Sequence, residues 1–173
     1  MAFRMYGTRF DPKYQVPTVK HGGGSVLVWG CFHAGGVGPL FRVEGIMCKE
    51  EYRDILANVM LPYGWSHMGR GWIFQQDNDP KHASKLVKQW FVDRRLKVLD
   101  WPSQSPDLKP IEHLWEELER RVQGKMAKNA AEKFEQLQKE WDAIPVSVLQ
   151  NLIYSMPRWC QAVIDAKGFA TKY

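Results

Sequence analysis

The stretch Ile73-Phe74-Gln75-Gln76-Asp77-Asn78-Asp79-Pro80-Lys81-His82 moves from apolar side chains into a polar string broken by proline. Its reading decides how the chain is organised. Gly71 to Gln76 is expected to be a strand that delivers Asp77 at its end. An ionised carboxylate there is costly to bury unless something pairs with it. The task of capping the following helix falls to Asp79, because Pro80 comes directly after it and suits the first helical position. Asp77 is therefore left for other chemistry.

A second stretch, Trp101-Pro102-Ser103-Gln104-Ser105-Pro106-Asp107-Leu108-Lys109-Pro110-Ile111-Glu112, is a proline-ruled loop that runs into a helix. Pro110 opens that helix and Glu112 stands on its first turn. With Lys109 at the N-cap, Glu112 takes the third helical position, where a capping box places a Glu. A lysine cannot accept the partner hydrogen bond, so the box is incomplete. Two carboxylates on separate rigid elements suit a hard divalent cation such as Mg²⁺ or Mn²⁺, which takes oxygen ligands. Asp107 sits in a Ser-Pro-Asp turn and is explained by turn chemistry. Glu116, Glu117 and Glu119 follow on the helix and are expected to pair with Arg120 and Arg121, although Glu116 is one turn from Glu112. His82 and His113 each lie near one acid, as ligands, proton shuttles or polar packing. No phosphate loop, nucleophile elbow or His-Glu-x-x-His helix occurs.

Around these stretches the pattern alternates strands and helices. Asp11-Pro12 and Val16-Pro17 disfavour helix and Gly22-Gly23-Gly24 is a joint, so residues 1–24 form an extended arm ahead of a domain over 25–173. Ser25 to Phe32 and Leu40 to Val43 make a hairpin about Gly35-Gly36. Lys49 to Leu61 has helical spacing, with Pro62 expected to stop it. A helix after Pro80 carries Ala83, Leu86, Val87, Trp90 and Phe91 on one face. Lys97 to Asp100 is a short strand. The helix from Pro110 turns Ile111, Leu114, Trp115, Leu118 and Val122 inward, and Ala130 to Trp141 is another helix. Pro145 and Pro157 are each expected to start a short helix, and Gly168 to end the last. This order gives an α/β layer fold.

A length of 173 residues suits one core, and eight Trp with eight Phe supply large buried surfaces. No apolar run is long enough to span a membrane as a helix. Cys31, Cys48 and Cys160 are odd in number and widely spaced, which argues against a disulfide framework and for a reducing interior. The net charge of +5 permits a polyanion partner without requiring one. Lys81, His82, Lys85, Lys109, Arg120 and Arg121 are the candidates for contacting a phosphate backbone near a metal site, the alternative for each basic run being a solvated helix face.

Several strings together resemble the DDE transposases of the mariner and Sleeping Beauty superfamily, the Sleeping Beauty side especially. They are Val16-Pro17-Thr18-Val19-Lys20-His21-Gly22-Gly23-Gly24-Ser25, Val28-Trp29-Gly30-Cys31-Phe32, Gln76 to His82, Trp101 to Leu108, Pro110-Ile111-Glu112 and Gly168 to Tyr173. The resemblance implies an RNase H-like fold, a mixed sheet flanked by helices, that cuts transposon ends and joins them to target DNA in the nucleus. It implies a triad of two Asp and one Glu, two bound Mg²⁺ or Mn²⁺ ions, and association between copies. Thirty-four residues separate Asp77 from Glu112, the family's spacing between its second and third acids. Nothing before Val16 has the Asp-Glu-Ser pattern of the first acid, and Asp11 does not take its place. The expectation is a domain lacking the usual first strand, with Asp77 and Glu112 as catalytic and metal-holding residues and little activity on its own. The alternative is a non-catalytic remnant that binds DNA or protein. Lys109 stands where the family has Asn, which removes an N-cap worth ~1 kcal/mol and puts an ammonium near the metal pocket. Trp159 and Phe169 stand where Arg and Gly are expected.

Overall fold

The computed structural model describes residues 26–102 and 108–167. Strands β1 (Leu27–His33) and β2 (Gly36–Val43) form the expected antiparallel hairpin, with Trp29 opposite Phe41 and Gly30 opposite Leu40. The returning strand starts at Gly36 rather than Leu40, and a register irregularity lies between Gly30 and Phe32. Alternation along the strands sends neighbouring side chains to opposite faces. Trp29 and Val43 enter one core cluster, while Leu40, with Val28 against it, enters another. The hairpin is thus a middle layer covered on both sides, which explains its nearly continuous apolar run.

On the first side lie α1 (Lys49–Ile55), a π-helical turn (Leu56–Met60), α2 (Leu61–His67) and α3 (Lys85–Asp93). Tyr52, Ile55, Leu56, Met60, Val87, Trp90 and Phe91 fill the core there. On the second side lie α4 (Pro110–Val122), α5 (Ala130–Asp142) and α6 (Val146–Asp165), packed through Leu114, Leu118, Trp141 and Leu149. A short parallel pair joins β3 (Ile73–Phe74) to β4 (Lys97–Val98), and the Leu99 N–H donates to the Phe74 carbonyl at 2.7 Å. Among the described residues the antiparallel and parallel pairs remain two separate two-stranded sheets. The arm over residues 1–24, the Asp107 turn and the Gly168 stop lie outside the described residues.

Four local expectations are corrected, and two of them concern proline directly. Pro62 does not end its helix. The π-helical turn widens the ladder just before it, so Pro62 falls at the start of α2, where its missing N–H is not needed. Pro157 lies inside α6 instead of starting a new helix, with Leu149 buried before it and Trp159 buried after it. Packing on both flanks holds the helix through the lost hydrogen bond. Asp79 caps only an isolated turn, its Oδ1 accepting from the Lys81 N–H at 2.9 Å. The regular helix α3 begins later, capped by Ser84, whose hydroxyl accepts from the Val87 N–H at 3.3 Å. The strand expected over Gly71 to Gln76 is regular only at Ile73–Phe74.

The second core depends on close approach to the hairpin. Trp115 and Trp141 stack with centroids 5.0 Å apart, and Trp141 Nε1 donates to the Gly38 carbonyl at 2.7 Å. A Cβ on Gly30 would lie 2.8 Å from the Trp115 ring and 3.1 Å from Trp141. Neither ring can retreat without losing the stack. Gly30→Ala is expected to destabilise the chain by about 1–3 kcal/mol, the usual result of overpacking, read as a lower urea midpoint at unchanged slope.

Candidate metal-binding site

The turn after β3 holds Asp77 with all its neighbours in place. Its side chain is 18% exposed. Oδ1 sits 2.5 Å from His82 Nδ1 and accepts from the Asp79 N–H at 3.1 Å. Oδ2 accepts from Lys109 Nζ at 2.5 Å. The His82 hydrogen bond above all, then those from Lys109 and the Asp79 N–H, holds the Asp77 carboxyl far below the usual carboxylate range, against the opposing effect of burial.

His82 is itself fixed. Its ring stacks on Tyr52 with centroids 3.9 Å apart. Tyr52 is 1% exposed, and its hydroxyl donates to Gln76 Oε1 at 2.8 Å. Gln76 Nε2 returns to the His82 carbonyl at 3.2 Å. A ring of contacts through Tyr52, Gln76 and His82 therefore orients the acid. Burial pushes the Tyr52 hydroxyl pKa up, so it stays a neutral donor. Asn78 Nδ2 also donates to the Trp101 carbonyl at 2.6 Å, pinning the turn to the second loop.

The other half of the site comes from α4. Lys109 is its N-cap and makes no side-chain capping bond, as its chemistry requires. Its ammonium turns inward instead, to Asp77, and lies 3.9 Å from Glu112 Oε1. The side chain of Lys109 is 16% exposed and that of Glu112 is 36% exposed. Asp77 and Glu112, distant in sequence, thus flank one positive charge. Two carboxylate oxygens about a cation are the donor set a hard metal ion takes. The set is small, since among the described residues no three His, Cys, Asp or Glu side chains come together to hold an ion.

The remaining candidates divide by position. Lys85 is exposed at the start of α3, and Lys81 reaches Asp79 at 3.3 Å. His82 and Lys109 point into the site rather than out toward a partner. Arg120 and Arg121 both pair with Glu117, Arg121 at 2.7 Å, and Arg121 also donates to the Ala143 carbonyl at 3.4 Å. Glu116 turns to His113 at 3.5 Å rather than toward Glu112. His113 packs against Trp159, ring centroids 4.8 Å apart. Cys31, Cys48 and Cys160 are free, and burial pushes the Cys31 thiol up to about 12. Sequence reasoning missed Tyr52 and Gln76 as supports of Asp77. Tyr52 was legible only as part of a helical core stripe, although a buried tyrosine hydroxyl normally has a partner.

Two outcomes follow from these contacts. Tyr52→Phe removes the donor to Gln76 and is expected to lower stability by about 1 kcal/mol, the net worth of a typical hydrogen bond, measured by urea denaturation. Glu117 is 12% exposed, and the Arg120 and then Arg121 hydrogen bonds depress its pKa. Its contribution is therefore present above the unfolded carboxylate value of about 4.3 and lost as pH falls through the lower folded value. The stability difference between the wild type and Glu117→Gln is expected to be larger at pH 7 than at pH 3, read from urea midpoints at both.

Comparison with known proteins fits this geometry. Residues 4–138 match the family described as DDE superfamily endonuclease. The transposable element Tc1 transposase of Caenorhabditis elegans is 61% identical over 170 residues, which cover 98% of this chain and 62% of that protein. The chain thus spans less than two thirds of that relative. Among solved structures, the Mos1 transposase catalytic domain with Raltegravir and Mg superposes with a TM-score of 0.71 at 20% identity, covering 85% of this chain and 76% of that one. A Mos1 transposase paired-end complex with left transposon end gives a TM-score of 0.76 at 18% identity, covering 85% and 44% respectively. The layered hairpin with helices on both faces is therefore an RNase H-like fold, and the chain belongs to the DDE endonuclease superfamily.

Proposed function

We propose that this chain is the catalytic-type domain of a Tc1-like DNA transposase, with Asp77 and Glu112 holding a divalent metal ion for phosphodiester cleavage and strand transfer. The observation that carries this reading is the convergence of the two carboxylates on a single positive charge, Lys109 Nζ, at 2.5 and 3.9 Å. Asp77 and Glu112 would hold Mg²⁺ or Mn²⁺, which would supply Lewis-acid polarisation of a phosphoryl oxygen. The chain's own residues orient and neutralise. His82 and the Asp79 N–H keep Asp77 ionised and turned toward α4. Glu112, less buried, can rotate to meet an ion. The DNA partner is the transposon end and its target, and the half-buried Lys81 and the exposed Lys85 lie near Asp77 along the chain. Nuclear localisation and association between copies belong to the same proposal, as the setting in which a transposase meets its DNA.

Among the described residues two acids converge here, where a two-ion clamp takes three, and an ammonium already stands beside both. These facts favour weak catalysis by the isolated chain and give a second reading some weight, namely DNA binding without cleavage. The test is nicking of supercoiled plasmid in Mn²⁺, run beside salt-dependent DNA binding. The expected result is trace nicking, lost in Asp77→Asn, with binding that weakens steeply as salt rises. Nicking that survives Asp77→Asn would remove Asp77 from the chemistry. Binding indifferent to salt would remove the phosphate backbone as partner.

A further inference from the structure

Asp77 has no idle oxygen. Oδ1 is taken by His82 and the Asp79 N–H, and Oδ2 by Lys109. Oδ2 keeps a second lone pair, but an ion that is to touch both Asp77 and Glu112 has to enter this ring of donors and move one of them aside. His82 is locked by its stack on Tyr52 and by the Gln76 bond to its own carbonyl. The Asp79 N–H is backbone within a tight turn. Lys109 alone sits on a flexible four-carbon stem, and its ammonium is the group that also faces Glu112. We propose that Lys109 is a tethered counter-ion occupying the metal position, which a divalent cation must expel before it can touch both acids. The inference rests on the reading of Asp77 and Glu112 as metal ligands and adds a specific gate to it.

The physical effect is competition. A single ammonium neutralises part of the charge that attracts the ion, and while it stays it repels the ion at close range. A like charge about 4 Å away at an intermediate dielectric opposes binding by more than the ~1.4 kcal/mol that equals a factor of ten. Removing it is therefore expected to tighten metal binding about tenfold or more. Moving the ammonium out would also leave Lys109 beside the site, free to meet a phosphate.

The experiment is a Mn²⁺ titration followed by the electron paramagnetic resonance of free Mn²⁺, with no activity readout. It compares wild type, Lys109→Met, Lys109→Arg, Glu112→Gln and Lys109→Met/Glu112→Gln, each checked for a cooperative melt. Lys109→Asn, which offers the helix a cap, stands in should Lys109→Met fail to fold. The expected result is binding at least tenfold tighter in Lys109→Met, binding as weak as wild type in Lys109→Arg, and loss of the gain when Glu112→Gln is added. Equal or weaker binding in Lys109→Met, with Glu112→Gln still abolishing what binding there is, overturns the counter-ion role and leaves the metal site standing. A gain in Lys109→Met that persists when Glu112→Gln is added overturns both.

Discussion

The contact between Asp77 and Lys109 spans thirty-two positions of sequence and joins the end of β3 to the start of α4. Asp77 follows β3, whose Phe74 packs against the first core cluster, while α4 begins the second. The hairpin is shared by both clusters, but its strands lie in the interior layer. The Asp77–Lys109 pair ties the two halves at the site itself. Asn78, bonded to the Trp101 carbonyl, makes a neighbouring tie. With these released, the shared hairpin would still hold the two halves together, and only the fine placement of Asp77 opposite Glu112 would loosen.

Such a pair is not a source of stability in itself. Removing two charges from water costs several kcal/mol per ion in a protein interior, and the attraction between them often only offsets that. The described core contains no buried charged side chain, so the rest of the fold is held by apolar packing. The site is one of the places where this chain draws charged groups away from solvent, the Glu117–Arg121 pair on α4 being another, and the oxygens of Asp77 are both hydrogen-bonded. An apolar scaffold with a connected polar network at a junction of elements is a form in which side-chain geometry is closely specified. The network extends inward through His82, Tyr52 and Gln76 rather than outward to solvent, so Asp77 is oriented by groups that cannot easily drift.

Much of this was legible in the residues. Helices α4 and α5 followed from apolar spacing, with Pro110 marking the start of α4. The hairpin followed from a dense β-type run about a glycine pair. Asp77 and Glu112 stood out because neither had a convincing capping role. What failed was the use of proline as a helix boundary, as a stop at Pro62 and as a start at Pro157. A proline rule is local, and it was overridden at Pro62 by a π-helical turn and at Pro157 by buried Leu149 and Trp159 on either side. The start of α3 was misplaced for a related reason, because Asp79 and Ser84 are both competent caps and each closes its own turn. Tyr52 escaped notice because periodicity records that a side chain faces inward but not what its polar tip will meet there. The inward turn of Lys109 was half legible, since a lysine at an N-cap has no capping function to hold it.

The consequence of that turn is that the acids do not need a metal to coexist. Two carboxylates facing one pocket repel each other, and proteins that rely on an ion to relieve such repulsion couple folding to metal uptake. Here the ammonium supplies the opposite charge from within the chain, so the tie between the halves exists before any ion arrives. A divalent ion in the same position would make the same connection with two charges in place of one. Exchange of one cation for the other can therefore proceed without separating the two cores. On the proposed exchange, the scaffold's integrity and the site's occupancy are independent quantities, and a substitution at position 109 is expected to bear on metal binding far more than on the fold.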